Sequence, residues 1–156
     1  MTLQKILLLS FIGSIILFAC NTNTVYESYN PIGGNGWNKD SVFNYTFNIK
    51  DSAQHYNVYF NLRNTVDYSF NNIWLFVSVN PPEGKTLTDT VEFVLADPSG
   101  RWFGHGHGKF RDNKLLYRRN VFFPQPGKYS FNIQQGMRES LLKGINDFGI
   151  SVEKTN

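Results

Sequence analysis

What most constrains this chain is a period-two alternation of apolar and polar residues, beginning near Asp40 and running to the C-terminus. Successive side chains of a strand point to opposite faces, so such alternation buries one face of a sheet and wets the other. Phe43, Tyr45, Phe47 and Ile49 alternate with Asn44, Thr46 and Asn48. After a turn at Asp51–Gln54, Tyr56, Val58, Phe60 and Leu62 alternate with Asn57, Tyr59, Asn61 and Arg63. Ile73, Leu75, Val77 and Val79 predict a third strand, stopped by Asn80-Pro-Pro-Glu-Gly84. Val91, Phe93 and Leu95 predict a fourth, ended by Asp97-Pro-Ser-Gly100. Leu115, Tyr117, Arg119, Val121 and Phe123 share one face of a fifth. A Pro-rich turn then leads to Tyr129, Phe131 and Ile133, and Phe148, Ile150 and Val152 form the last strand. Met137 to Lys143 reads as one or two helical turns. About seven short strands with a turn signal roughly every ten residues predict an all-β fold. The expected architecture is an antiparallel β-sandwich, immunoglobulin-like or jelly-roll-like, with one short helical segment near the C-terminus. Strand–helix alternation is missing, which argues against a Rossmann-like sheet.

The N-terminus obeys a different rule. One Lys at position 5 precedes a mostly apolar run from Ile6 to Phe18, then Ala19 and Cys20. That order is the signature of a secretory signal, and the run is too short for a comfortable transmembrane span of roughly 20 residues. Leu17-Phe-Ala-Cys20 resembles a bacterial lipobox, in which cleavage precedes the Cys and its thiol takes up diacylglycerol. Residues 1–19 are thus expected as a lipoprotein signal peptide. Cys20 becomes the lipid attachment point, its amine acylated by a fatty acid such as palmitate. Several acyl chains hold a protein stably where one does not. Residues 20–39 read as a polar, Asn- and Gly-rich lead-in or tether, part of which packs back through Tyr26, Tyr29 and Trp37. Residues 40–156 read as a single sandwich domain. Asn21, rather than Asp, follows the Cys, which favours the outer membrane over the inner. The late first acidic residue, Glu27, favours the periplasmic face.

Little in the chain points to catalysis. Cys20 is the only Cys, so neither a disulfide framework nor a multi-Cys zinc site is available. The net charge of +3 is too small to argue for nucleic acid. Neither a Gly-x-Ser-x-Gly elbow nor a P-loop ending occurs. The expectation is a non-enzyme without cofactor or metal. His105-Gly-His107 could direct two imidazoles to one face of a strand, but the bland reading is a Gly-rich edge. Arg118-Arg119 offers one charge per face, because adjacent residues in a strand point to opposite sides. The segment Arg101, Trp102, Phe103, His105 and His107, set among glycines, is the first place to seek a binding loop. Exposed aromatics such as Trp102 and Trp74 leave open a glycan- or ligand-binding module. Asp51-Ser-Ala resembles the triplets that Bacteroidota-type bacteria O-glycosylate, making Ser52 a candidate acceptor.

Several spaced segments together resemble the gliding-motility lipoprotein family GldH. They are Arg63-Asn64 with Tyr68 and Asn72-Ile-Trp-Leu75; Asp89-Thr90 before Leu95-Ala-Asp97; and Gly100-Arg-Trp102 with Gly104, Gly106 and Gly108. Phe123-Pro124 with Gly127-Lys-Tyr129 follows, then Gln135-Gly-Met-Arg138 with Leu141, Gly144-Ile145, Asp147 and Gly149-Ile150. The resemblance implies a non-enzymatic cell-envelope lipoprotein required for gliding, a structural or assembly component with no catalytic residues. Its implied partners are other gliding-motility and type IX secretion envelope proteins.

Overall fold

Alternating faces need a second layer to bury against, and the chain supplies one in a computed structural model that describes residues 23–155. Ten strands form: β1 (Thr24–Pro31), β2 (Trp37–Asn38), β3 (Val42–Ile49), β4 (His55–Thr65), β5 (Asn72–Asn80), β6 (Leu87–Val94), β7 (Phe110–Phe122), β8 (Gly127–Gln135), β9 (Leu141–Leu142) and β10 (Ile145–Lys154). One four-stranded sheet has the order β1-β10-β4-β7, the other β3-β8-β5-β6, and β2 pairs with β9. All of these pairings are antiparallel. Two four-stranded sheets joined in this order form a jelly roll, which decides between the two expected sandwich types.

The alternation falls in the expected phase. Tyr45, Phe47 and Ile49 of β3 and Tyr56, Val58, Phe60 and Leu62 of β4 are buried, as are Ile73, Leu75 and Val77 of β5. Tyr129, Phe131 and Ile133 of β8 and Phe148, Ile150 and Val152 of β10 complete the opposing faces. Aromatic rings knit the layers, with Phe60 of β4 6.0 Å from Phe93 of β6 and Tyr26 of β1 5.1 Å from Phe47 of β3. The Tyr45 hydroxyl donates to the Phe148 carbonyl at 2.9 Å, a buried hydrogen bond between the two sheets.

Three expectations are corrected. The lead-in ends sooner than residue 39: β1 is an integral strand, paired with β10 from Thr24↔Glu153 to Pro31↔Asp147, and Trp37 is buried in the core. The inward positions of β1 are Tyr26, Ser28 and Asn30, all half-buried, so an edge strand with a largely polar inner face left no apolar alternation to read. The helical segment at Met137–Lys143 does not form; bends lead instead into β9. Gln135 accounts for this: its amide Oε1 accepts from the Met137 N–H at 2.8 Å and its Nε2 donates to the Glu139 carbonyl at 2.8 Å. A seven-residue helix is too short to compete with such local bonds.

The third correction concerns Arg118-Arg119. The β4–β7 register slips between Tyr56↔Val121, Val58↔Arg118 and Tyr59↔Leu116, and Asn120 lies in the left-handed region at φ 53°. These bulges break the alternation, and Arg118 and Arg119 are both exposed. Arg118 pairs with Asp89 of the other sheet and lies over the Tyr117 ring.

The topology gives the sandwich two unlike ends. The start of β1, the turns at 50–54, 81–86 and 123–126, and the residues after β10 gather at one end. The connections 32–41, 66–71, 95–109 and 136–144 gather at the other.

Candidate functional site

The predicted binding loop lies at the end away from β1's first residue, between β6 and β7. Its first turn is built on Asp97, whose Oδ1 accepts from the Ser99 N–H at 2.9 Å, the Ser99 hydroxyl at 2.6 Å and the Arg101 N–H at 3.0 Å. Those donors, the Ser99 hydroxyl foremost, hold the Asp97 carboxyl below its ordinary range. Arg101 returns a 3.2 Å ion pair to the same carboxylate. Trp102 is half-buried, bridged through its backbone to Ala96 and 6.4 Å from the Tyr68 ring. It is therefore packing rather than a free platform, and Phe103 is the residue held out to solvent, 54% exposed.

His105 and His107 are both exposed, but only His105 is tied down. Its backbone exchanges two hydrogen bonds with Asp112, at 2.9 and 2.7 Å. Two glycines around it answer to packing: a Cβ on Gly104 would sit 2.6 Å from the Asn113 side chain, and one on Gly106 would sit 2.5 Å from the Phe110 carbonyl oxygen. Among the described residues no three His, Cys, Asp or Glu side chains gather closely enough to hold a metal ion.

His105 instead forms one rim of a cleft that the sequence did not disclose. This cleft, about 550 Å³, lies on the solvent face of the β1-β10-β4-β7 sheet. Arg63 sits at its centre, with Nε 2.6 Å from Asp112 and Nη1 3.8 Å from Asp147. Tyr29 borders it and donates its hydroxyl to Glu27 at 2.8 Å. Burial, then that hydrogen bond, pushes the Tyr29 hydroxyl up to about 12. Buried Asn61 donates to the Ser151 hydroxyl at 3.1 Å nearby. On β10, Gly149 makes room for Tyr29, because a Cβ there would stand 2.5 Å from the ring and 2.6 Å from the Ser28 carbonyl oxygen.

The cleft supplies an aromatic edge, a guanidinium and several amide and carboxylate groups. Both carboxylates beside Arg63 are engaged by it, so neither is arranged as a free base next to a nucleophile. Such a surface can hold a polar ligand through hydrogen bonds and an aromatic contact. Arg63, Asp112 and Asp147 stand 35 or more positions apart along the chain and meet only through β-pairing across β10, β4 and β7. The sequence marks Arg63 and Asp147 only separately, within the family resemblance, and offers no signal that joins either to Asp112.

Ser52 lies in the turn between β3 and β4 at the other end, half-buried, beside an Asp51 carboxylate that caps the Ala53 N–H at 2.9 Å. Cys20 lies outside the described residues.

Comparison with known proteins places these features in a family context. The family model described as GldH lipoprotein matches residues 24–152. A protein called gliding motility lipoprotein GldH homolog, from Christiangramia forsetii, is 38% identical over 94% of this chain and 94% of its own length. Gliding motility lipoprotein GldH of Flavobacterium johnsoniae is 38% identical over 92% of each chain. Among solved structures, a mutant of the Escherichia coli periplasmic inhibitor of g-type lysozyme is similar over 87% of this chain and 92% of its own, at 13% identity and a TM-score of 0.35.

Proposed function

The chain belongs to the GldH lipoprotein family, and on that premise we propose that it is a structural or assembly component of the gliding and type IX secretion machinery. It works without catalysis, as a membrane-anchored part of the cell envelope. The lipid is carried on Cys20, and the domain stands on the outer membrane facing the periplasm. The observation that carries this reading is the extent of the family match: it begins at the first residue of β1 and ends inside β10, so it spans the whole sandwich rather than one motif. In support, the Arg101–His107 loop is at the end of the sandwich opposite the anchor, where it is free to meet a partner. Ser52, in an anchor-side turn, carries an O-linked glycan in the same reading.

A clean deletion tests the role. Cell spreading and secretion of type IX cargo should both be lost and should return with the wild-type gene. Complementation with Cys20→Ala should fail while leaving folded protein in the envelope. Normal spreading and secretion in the deletion would defeat the proposal.

One observation favours a second reading, a glycan-binding module. The Tyr29 ring is 52% exposed beside Arg63 and Asp112, an arrangement that can stack a sugar and hydrogen-bond its hydroxyls. Glycan-array binding lost in Arg63→Ala would select it; unchanged binding, or none in the wild type, would remove it.

A further inference from the structure

The anchor side of the sandwich carries a surface that neither the family match nor the partner loop accounts for. Pro81, Leu87, Phe122 and Pro124 border an open groove of about 480 Å³ at this end. Leu87 is 66% exposed and Phe122 is 54% exposed, the most exposed large apolar side chains of β6 and β7. Large apolar side chains held out next to one another at one end mark a contact surface rather than scatter.

Charge at the same end is one-sided. Lys50, Lys85, Arg119, Lys128 and Lys154 are all exposed, and none is in an ion pair among the described residues. Against these five stand Asp51 and Glu83, while Asp89 and Glu153 at this end are already occupied by Arg118 and Lys114. An apolar groove rimmed by unpaired cations is complementary to a bilayer surface with anionic headgroups.

The chain outside the described residues determines which surface this end meets. Cys20 stands three positions before Asn23. At about 3.5 Å per step at most, the three steps span on the order of 10 Å. Asn23 is itself fixed, its carbonyl accepting from the Lys154 N–H at 2.8 Å. A lipid on Cys20 therefore brings this end, and no other, against the membrane.

We propose that the anchor-side end docks on the bilayer, with Leu87 and Phe122 entering the headgroup region and the five cations facing anionic lipid. This rests on the lipoprotein reading of Cys20. It turns the anchor from a loose tether into a second, oriented attachment that presents the 95–109 loop away from the membrane.

The test uses the full acylated protein, whose only native thiol is consumed by lipid. Leu87→Cys and Phe122→Cys are labelled with an environment-sensitive fluorophore and reconstituted into phosphatidylcholine vesicles containing phosphatidylglycerol. Val94→Cys, at the opposite end of the same strand as Leu87 and 55% exposed, is the reference. The expected result is a blue-shifted emission at 87 and 122 and a several-fold stronger quenching by spin-labelled lipid than at 94. Both effects should weaken in high salt and without phosphatidylglycerol. Probes at 87 and 122 as wet as that at 94 would overturn docking. Shielding that follows protein concentration rather than lipid composition would assign the groove to a second copy, and would also overturn it. Intact mass separates the two readings: acylated protein with wet probes refutes docking alone, whereas unacylated Cys20 removes the lipoprotein reading and docking with it.

Discussion

Asn113 shows how single residues shape the 95–109 loop. It is 7% exposed, and its amide Nδ2 donates to Asn64 Oδ1 at 2.9 Å and to the Leu62 carbonyl at 3.1 Å. Asn64 is fully buried and hands its own amide protons to the Thr65 carbonyl at 2.9 Å. The chain at Gly104 lies so close to Asn113 that only a hydrogen fits. Gly104 thus reads as a packing requirement, and the apparent flexibility of Gly104-His-Gly-His-Gly108 as its by-product. We expect Asn113→Ala to leave Asn64 Oδ1 without its donor and to cost about 1–3 kcal/mol. Urea denaturation of the purified domain measures this, and an unchanged midpoint would show the pair to be dispensable. The apolar identity of core residues was legible in the chain; the buried Asn pair was not, because a polar residue in a strand reads as outward-facing unless its partner is known.

At the scale of elements, β1 and β10 carry the site. Gly149 lies under Tyr29, and the approach is set by backbone as well as ring, since the Ser28 carbonyl oxygen would be 2.6 Å from a new Cβ. Gly149→Ala should therefore push β1 off β10 at this point and destabilise the fold by about 1–3 kcal/mol, as overpacking does. Adding Tyr29→Ala should not restore stability, because the carbonyl clash remains. Thermal unfolding of the single and double variants decides the matter, and full rescue in the double would place the whole conflict in the ring. The bulges of β7 act at the same scale. With Asn120 at φ 53° and its N–H bonded to Asn57 Oδ1 at 2.8 Å, the strand bends where Arg119 is presented. Period-two reading assumes regular pairing, so it placed Arg119 in line with Tyr117 and Val121 and missed the slip.

For the whole molecule, the distribution of tyrosines makes stability sensitive to alkali. Burial raises the Tyr29 and Tyr117 hydroxyls to about 12, and it also raises Tyr45, Tyr56 and Tyr68. An acid whose folded pKa exceeds its unfolded value of about 10 holds its proton more tightly when folded. Its stabilisation is complete below pH about 10 and is lost as pH climbs from there through the folded value. The melting temperature should accordingly fall above pH 10, with tyrosinate absorbance at each pH tracking unfolding; a flat melting profile through pH 12 would contradict the assignment. The two ends of the sandwich belong to this scale as well. One is tied to Asn23, and the other bears the loop with Phe103 exposed. The chain alone determined that this is an antiparallel β-sandwich and located seven of its strands, β3 to β8 and β10, with most of the side chains they bury, because hydrophobic alternation is local and repeats within a regular strand. The tertiary structure alone decided the jelly-roll order, the recruitment of β1, the cleft around Arg63 and the basic apolar end at the start of β1. Those depend on pairing between distant residues, such as Thr24 with Glu153, and that pairing is won by packing one whole sheet on the other, which no single segment specifies.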